Sequence, residues 1–133
     1  MKTILDAAKN DYDSGYLTSI RSLIHAEVFE NELEQAEELL RARYAAPAVV
    51  VAGVVLETHL REMAKNRGVA TANLDKMNAD LARVGAYNSM VQKRITACAG
   101  LRNSAAHGAG GFSPQDAAAM IDDVRRFLTD YPS

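Results

Sequence analysis

Apolar residues recur along this chain at helical rather than strand spacing. Between Tyr16 and Tyr44, Ile20, Leu23, Ile24 and Val28 form one stripe. Leu33, Ala36, Leu39 and Leu40 resume the period after a phase slip, and Glu30, Glu32, Glu34, Glu37 and Glu38 fall mostly on the other side. Apolar positions three and four apart predict an amphipathic helix, here a long one with a bend near Phe29. A short helix over about Lys2 to Tyr12 is expected ahead of it. Asp13-Ser14-Gly15 would supply the turn and cap between the two.

The pattern changes at Pro47, a residue suited to a first helical turn. From Ala48 to Leu56 the chain is apolar on every side, and it continues through Glu57, His59, Arg61 and Met63 to about Asn66 before Gly68. The β-branched run Val49-Val50-Val51 also suits a strand, but the length and the helical continuation argue for helix. A helix without a polar face belongs at the centre of a bundle or in a subunit interface.

Three more segments follow. Asn73 to Val84 reads as a short helix closed by Gly85, and Tyr87 to about Ala105 as another, with Val91, Ile95, Cys98 and Leu101/Arg102 in register. After a loop from Gly108 to Phe112, Ser113-Pro114-Gln115-Asp116 gives the clearest helix start in the chain: a serine cap, proline at the first position and an acid in the first turn. Ala117, Met120, Ile121, Val124, Phe127, Leu128 and Tyr131 then share one face, and Pro132 stops the helix. The expectation is an all-α, antiparallel bundle of about five helices in one domain. Residues 1–45 would be an N-terminal helical extension and residues 46–133 the core.

Composition agrees. The 133 residues are 48% apolar and 24% charged, with no tryptophan, which suits a single globular domain with its own core. The single cysteine, Cys98, excludes an intrachain disulfide framework and fits a reducing compartment; on the apolar side of its helix it reads as a small core hydrophobe. The N-terminus is too polar for a signal peptide, and the apolar run from Ala45 to Leu56 is too short to span a bilayer. A cytoplasmic protein without a membrane partner is expected.

Charge is unevenly spread. Residues 1–44 hold five Lys/Arg against nine Asp/Glu, residues 45–112 eight against four, and residues 113–133 two against four. The basic excess lies in the section that carries the chain's most suggestive pair, Arg102 and His107, five positions apart at a helix end beside Gly108-Ala109-Gly110-Gly111. A permanent cation next to a group that exchanges protons near neutral pH suits a phosphate and its chemistry. A histidine that caps the last carbonyls of its helix has the same spacing. Arg102 extends the inward stripe of Ile95 and Cys98, so it needs a partner. Glu57, which interrupts the apolar helix in line with Val50, Gly53 and Arg61, is the best candidate. His59 is expected to be a satisfied core or interface histidine. His25 and His59 make no metal-ligand spacing, and no phosphate loop, zinc motif or nucleophile elbow occurs. No metal or cofactor is therefore expected.

Arg102-Asn103-Ser104-Ala105-Ala106-His107 resembles the Arg-x(4–6)-His signature of the HEPN superfamily, in which a polar residue, here Asn103, follows the arginine. Glu57-Thr58-His59-Leu60-Arg61 is similar to the acidic-then-basic motif on an earlier helix of many members. The resemblance is strongest over residues 47–131. It implies a helical bundle that dimerises with the motifs of two protomers facing one another. It also implies a metal-independent endoribonuclease of toxin or defence type, leaving a 2′,3′-cyclic phosphate. Carried over, His107 is the general base or acid, Arg102 holds the scissile phosphate, Asn103 orients the histidine or the phosphate, and Glu57, with Arg61, positions Arg102. The implied partners are a second copy, RNA or a nucleotide, and a cognate antitoxin or larger assembly. Non-catalytic HEPN-like modules for dimerisation, nucleotide sensing or regulation remain the alternative.

Overall fold

The computed structural model describes residues 7–108 and 111–133. Five helices account for them: α1 (Ala7–Arg41), α2 (Ala45–Asn66), α3 (Leu74–Arg83), α4 (Ser89–Ala106) and α5 (Pro114–Asp130). No strand occurs among the described residues, so Val49-Val50-Val51 is helical as its context requires.

The division of the first segment into two helices does not hold. From Ala7 onward the backbone is one helix, and Asp13-Ser14-Gly15 lie inside it; residues 2–6 lie outside the described residues. A glycine inside a helix costs about 1 kcal/mol, whereas a break sacrifices several backbone hydrogen bonds at once, and no proline forces one. The phase slip separates a buried stripe from an exposed one. Phe29, Leu33 and Ala36 are buried, while Leu23, Ile24 and Val28 are 68%, 53% and 46% exposed. The two apolar stripes therefore lie on different sides of one uninterrupted helix, and only the second faces the core.

α2 is the centre of the molecule and touches every other helix. Ala48, Val49, Ala52, Val55, Leu56, Leu60 and Met63 are buried along it. They meet Leu33 of α1, Leu74, Met77 and Leu81 of α3, Ile95 of α4, and Met120, Ile121 and Val124 of α5 in one continuous core. The second half of α1, through Phe29, Leu33 and Ala36, contributes to the same core as α2 and α5.

Polar groups fix how these helices sit. Arg125 of α5 donates to Glu30 (3.1 Å) and Glu37 (3.0 Å) of α1. The buried Asn78 of α3 donates to the Gln92 carbonyl at 3.1 Å and accepts from the Tyr87 hydroxyl at 2.7 Å, which ties α3 to the start of α4. Asn73, Asn88 and Ser113 cap α3, α4 and α5 through their side chains, and Ser113 and Asp116 form a complete capping box. Gly68 and Gly85 take positive φ just past α2 and α3. There the bonds Val69 N–H to Ala64 O (2.8 Å) and Ala86 N–H to Leu81 O (2.9 Å) close Schellman turns. The same turn after α1 places Arg43, not glycine, at φ 72°.

Candidate functional site

Arg102 points inward from α4 one turn before the helix ends, and the reason it fits is Gly53. A Cβ at residue 53 would lie 2.2 Å from the Arg102 Cγ, so the aliphatic stem of the arginine lies across the bare backbone of α2. A mid-helix glycine is otherwise unfavourable, and here its missing side chain is the space the arginine occupies.

One turn further along α2, Glu57 receives the guanidinium: Arg102 Nη1 donates to Glu57 Oε1 at 2.9 Å. The other carboxylate oxygen, Oε2, accepts from Arg61 Nη2 at 3.2 Å, and Arg61 Nη2 also reaches the Ala72 carbonyl at 3.3 Å. The hydrogen bond from Arg102 pulls the Glu57 carboxyl below its ordinary range. Partial burial opposes this and the Arg61 bond assists it. One carboxylate shared by two guanidiniums leaves the cluster with a net positive charge. Arg102 is 23% and Glu57 24% exposed by side chain, enough shielding to hold the geometry and enough access for a ligand. Arg102 Nε and Nη2 have no hydrogen-bond partner among the described residues, so one edge of the guanidinium fork stays available to an anion.

His107 is the C-cap of α4. Its backbone N–H bonds to the Asn103 and Ala105 carbonyls, Gly108 follows at φ 69°, and the imidazole is exposed. Among the described residues the ring makes no hydrogen bond, neither to the last carbonyls of its helix nor to Asn103 or Arg102. Asn103 is also exposed, and its side chain has no hydrogen-bond partner among those residues. The sequence-predicted residues therefore form two groups, one joining α2 to α4 and one at the C-terminal end of α4. Glu57, Arg61 and Arg102 are joined into a network, while Asn103 and His107 stand free beside it.

Comparison of the chain with protein-family models, curated proteins and solved structures found no match.

The other titratable groups are accounted for by packing. His59 is 3% exposed and edge-on to both Phe29 and Phe127, with ring centroids 6.0 and 5.6 Å away. Its Nε2 lies 2.6 Å from the Tyr131 carbonyl, to which it donates. Its buried Nδ1 has no partner, so the histidine expected to be satisfied is only half so. Burial pushes its pKa down. Cys98 is buried, and burial pushes its thiol up to about 12, which makes it unreactive at neutral pH. Among the described residues no group of three His, Cys, Asp or Glu side chains converges as a metal site requires. No described helix is long and apolar enough to cross a membrane.

Two contributors were not singled out as parts of the site from sequence: Gly53, which makes room, and the Ala72 carbonyl, which helps hold Arg61. A glycine in an otherwise apolar helix was the one visible signal, since such a residue marks a close approach. A carbonyl contact from the α2–α3 loop leaves no trace in side-chain pattern.

Proposed function

We propose that this chain is a HEPN-like endoribonuclease acting at a composite site between two copies, without a metal ion, to leave a 2′,3′-cyclic phosphate. The reading draws on the Arg102–His107 motif. It is carried by one observation: a guanidinium locked by Glu57 over Gly53, with an edge free for a phosphate, on the same helix end as an unengaged imidazole.

In that reading Arg102 binds the two non-bridging oxygens of the scissile phosphate and stabilises the charge that grows on them. His107 of one protomer removes the ribose 2′-hydroxyl proton, the 2′-oxygen bonds to phosphorus, and the bond from phosphorus to the 5′-oxygen breaks. His107 of the other protomer protonates that leaving oxygen. Asn103, free at the same helix end, orients the histidine or the phosphate. Holding Arg102 in one rotamer before substrate arrives lowers the entropy cost of binding, and Glu57 and Arg61 serve that purpose.

Purified protein incubated with tRNA and mRNA in EDTA tests the proposal. Cleavage by the wild type, lost in Arg102→Ala and His107→Ala variants that remain folded, is expected. Intact RNA with wild-type protein overturns it in favour of a non-catalytic dimerisation, nucleotide-sensing or regulatory module of the same fold.

A further inference from the structure

Two apolar features of this chain have no partner among the described residues. The first is the outward stripe of α1, with Ile24 at its middle, Leu17, Val28 and Leu23 around it and each of the four substantially exposed. From Leu17 to Val28 it runs about 16 Å along the helix. The second is a cleft where α4 and α5, the least closely packed neighbouring pair in the fold, diverge over α2. Leu56, Ile95, Cys98, Val124 and Phe127 form its floor, and its volume is about 90 Å³. A cavity of about 150 Å³ holds the six carbons of benzene, so this one suits the four carbons of an isoleucine side chain.

We propose that the outward stripe of α1 docks into the α4–α5 cleft of a second copy of this chain, with Ile24 as the central anchor. Charge selects this occupant. Positions three residues either side of Ile24 lie about 60° to its left and right on a helix. They hold Arg21 and Glu27, charges of opposite sign on opposite flanks. The cleft has walls to match. α4 presents Arg94, and α5 presents Asp123 and Asp130 around Arg126. Arg94 makes no ion pair with another described residue. A helix laid in the cleft with Glu27 toward α4 and Arg21 toward α5 pairs both flanks and buries the stripe in one step. This is the usual mode of an amphipathic helix in a groove. The stripe has mixed flanks rather than a basic face, which a nucleic acid or an anionic lipid surface would require. Reciprocal exchange closes a dimer, and non-reciprocal exchange extends a chain.

Cys98 in the cleft floor is buried and its thiol unreactive, so the test reads assembly rather than a crosslink. Ile24 is half exposed, so Ile24→Asp leaves the protomer intact. Sedimentation is expected to give the wild type a larger mass than the Ile24→Asp variant at the same concentration. Arg94→Glu is expected to weaken the association severalfold, and Glu27→Arg added to Arg94→Glu is expected to restore it. A mass unchanged by Ile24→Asp overturns the proposal, and so does a loss in Arg94→Glu that Glu27→Arg fails to rescue. None of these substitutions touches Arg102 or His107, and the ribonuclease reading is scored separately by RNA cleavage.

Discussion

Arg102 lies across α2 at Gly53 so closely that the two positions cannot be varied independently: a methyl group on residue 53 would stand 2.2 Å from the arginine's Cγ. In the wild type Gly53→Ala must push the arginine off Glu57 or strain the helix pair, at about 1–3 kcal/mol, with only part recovered from alanine's better helix propensity. With Arg102→Ala already in place the Cγ is gone and only the Cβ of residue 102 remains, 3.0 Å away, so the same change is expected to cost much less, with alanine's better helix propensity offsetting the residual crowding. Urea unfolding of the four proteins in this double-mutant cycle checks the coupling between the two positions.

The two stripes of α1 predict opposite responses to the same chemistry. Leu33 is 1% exposed and Leu23 is 68% exposed. Leu33→Ala is expected to cost about 2–5 kcal/mol through the cavity it leaves, and Leu23→Ala less than about 0.5 kcal/mol in the isolated protomer. Denaturant midpoints measured at low protein concentration distinguish them.

That contrast also marks where the sequence was legible. The cap at Ser113 and the stops at Gly68 and Gly85 depend on local backbone chemistry, and the helix start and ends read from them agree closely with the structure. The face of α5 was legible for the same reason: one period runs unbroken from Ala117 to Phe127. The two faces of α1 were not, because periodicity reports that a stripe exists and not what covers it. At the site, the Arg102–Glu57 pair followed from two inward registers and the cost of an unpaired charge. The bond from Arg61 to the Ala72 carbonyl depends on the path of a loop, which no side-chain pattern encodes.

His59 makes stability fall on mild acidification. Burial among Phe29, Phe127 and Tyr131 holds its pKa below the ordinary 6.5, against the opposing pull of the Tyr131 carbonyl and Glu62; nearby His25 adds to the lowering. The unfolded chain therefore takes up the proton first. The contribution is whole above pH 6.5 and is lost progressively as pH drops toward the lowered folded value. A His59→Phe variant is expected to lose some stability at pH 8, because the Tyr131 carbonyl is left without its donor. It should nevertheless show a flatter dependence than the wild type between pH 6.5 and 5. Equilibrium unfolding across that range gives both slopes; equal slopes would contradict the assignment.

The turn after α1 holds Arg43 at φ 72°, a left-handed conformation that costs a residue with a Cβ about 1–2 kcal/mol. Its side chain is exposed. Arg43→Gly relieves that cost and gives back part of it through the freer unfolded chain, so a net gain of about 0.5–1 kcal/mol is expected. Thermal unfolding reads it as a rise in Tm.

The ribonuclease reading turns on the bond chemistry at the RNA. The most direct measurement is the identity of the new ends when the wild-type protein cuts a defined RNA in EDTA, alongside His107→Ala and Arg102→Lys. Attack by the 2′-hydroxyl requires a 2′,3′-cyclic phosphate on one fragment and a 5′-hydroxyl on the other. Neither should appear with His107→Ala, and little should appear with Arg102→Lys, which keeps the charge but loses the planar fork. Fragments ending in a 3′-hydroxyl, cleavage that survives His107→Ala, or no cleavage by the wild type would contradict the account.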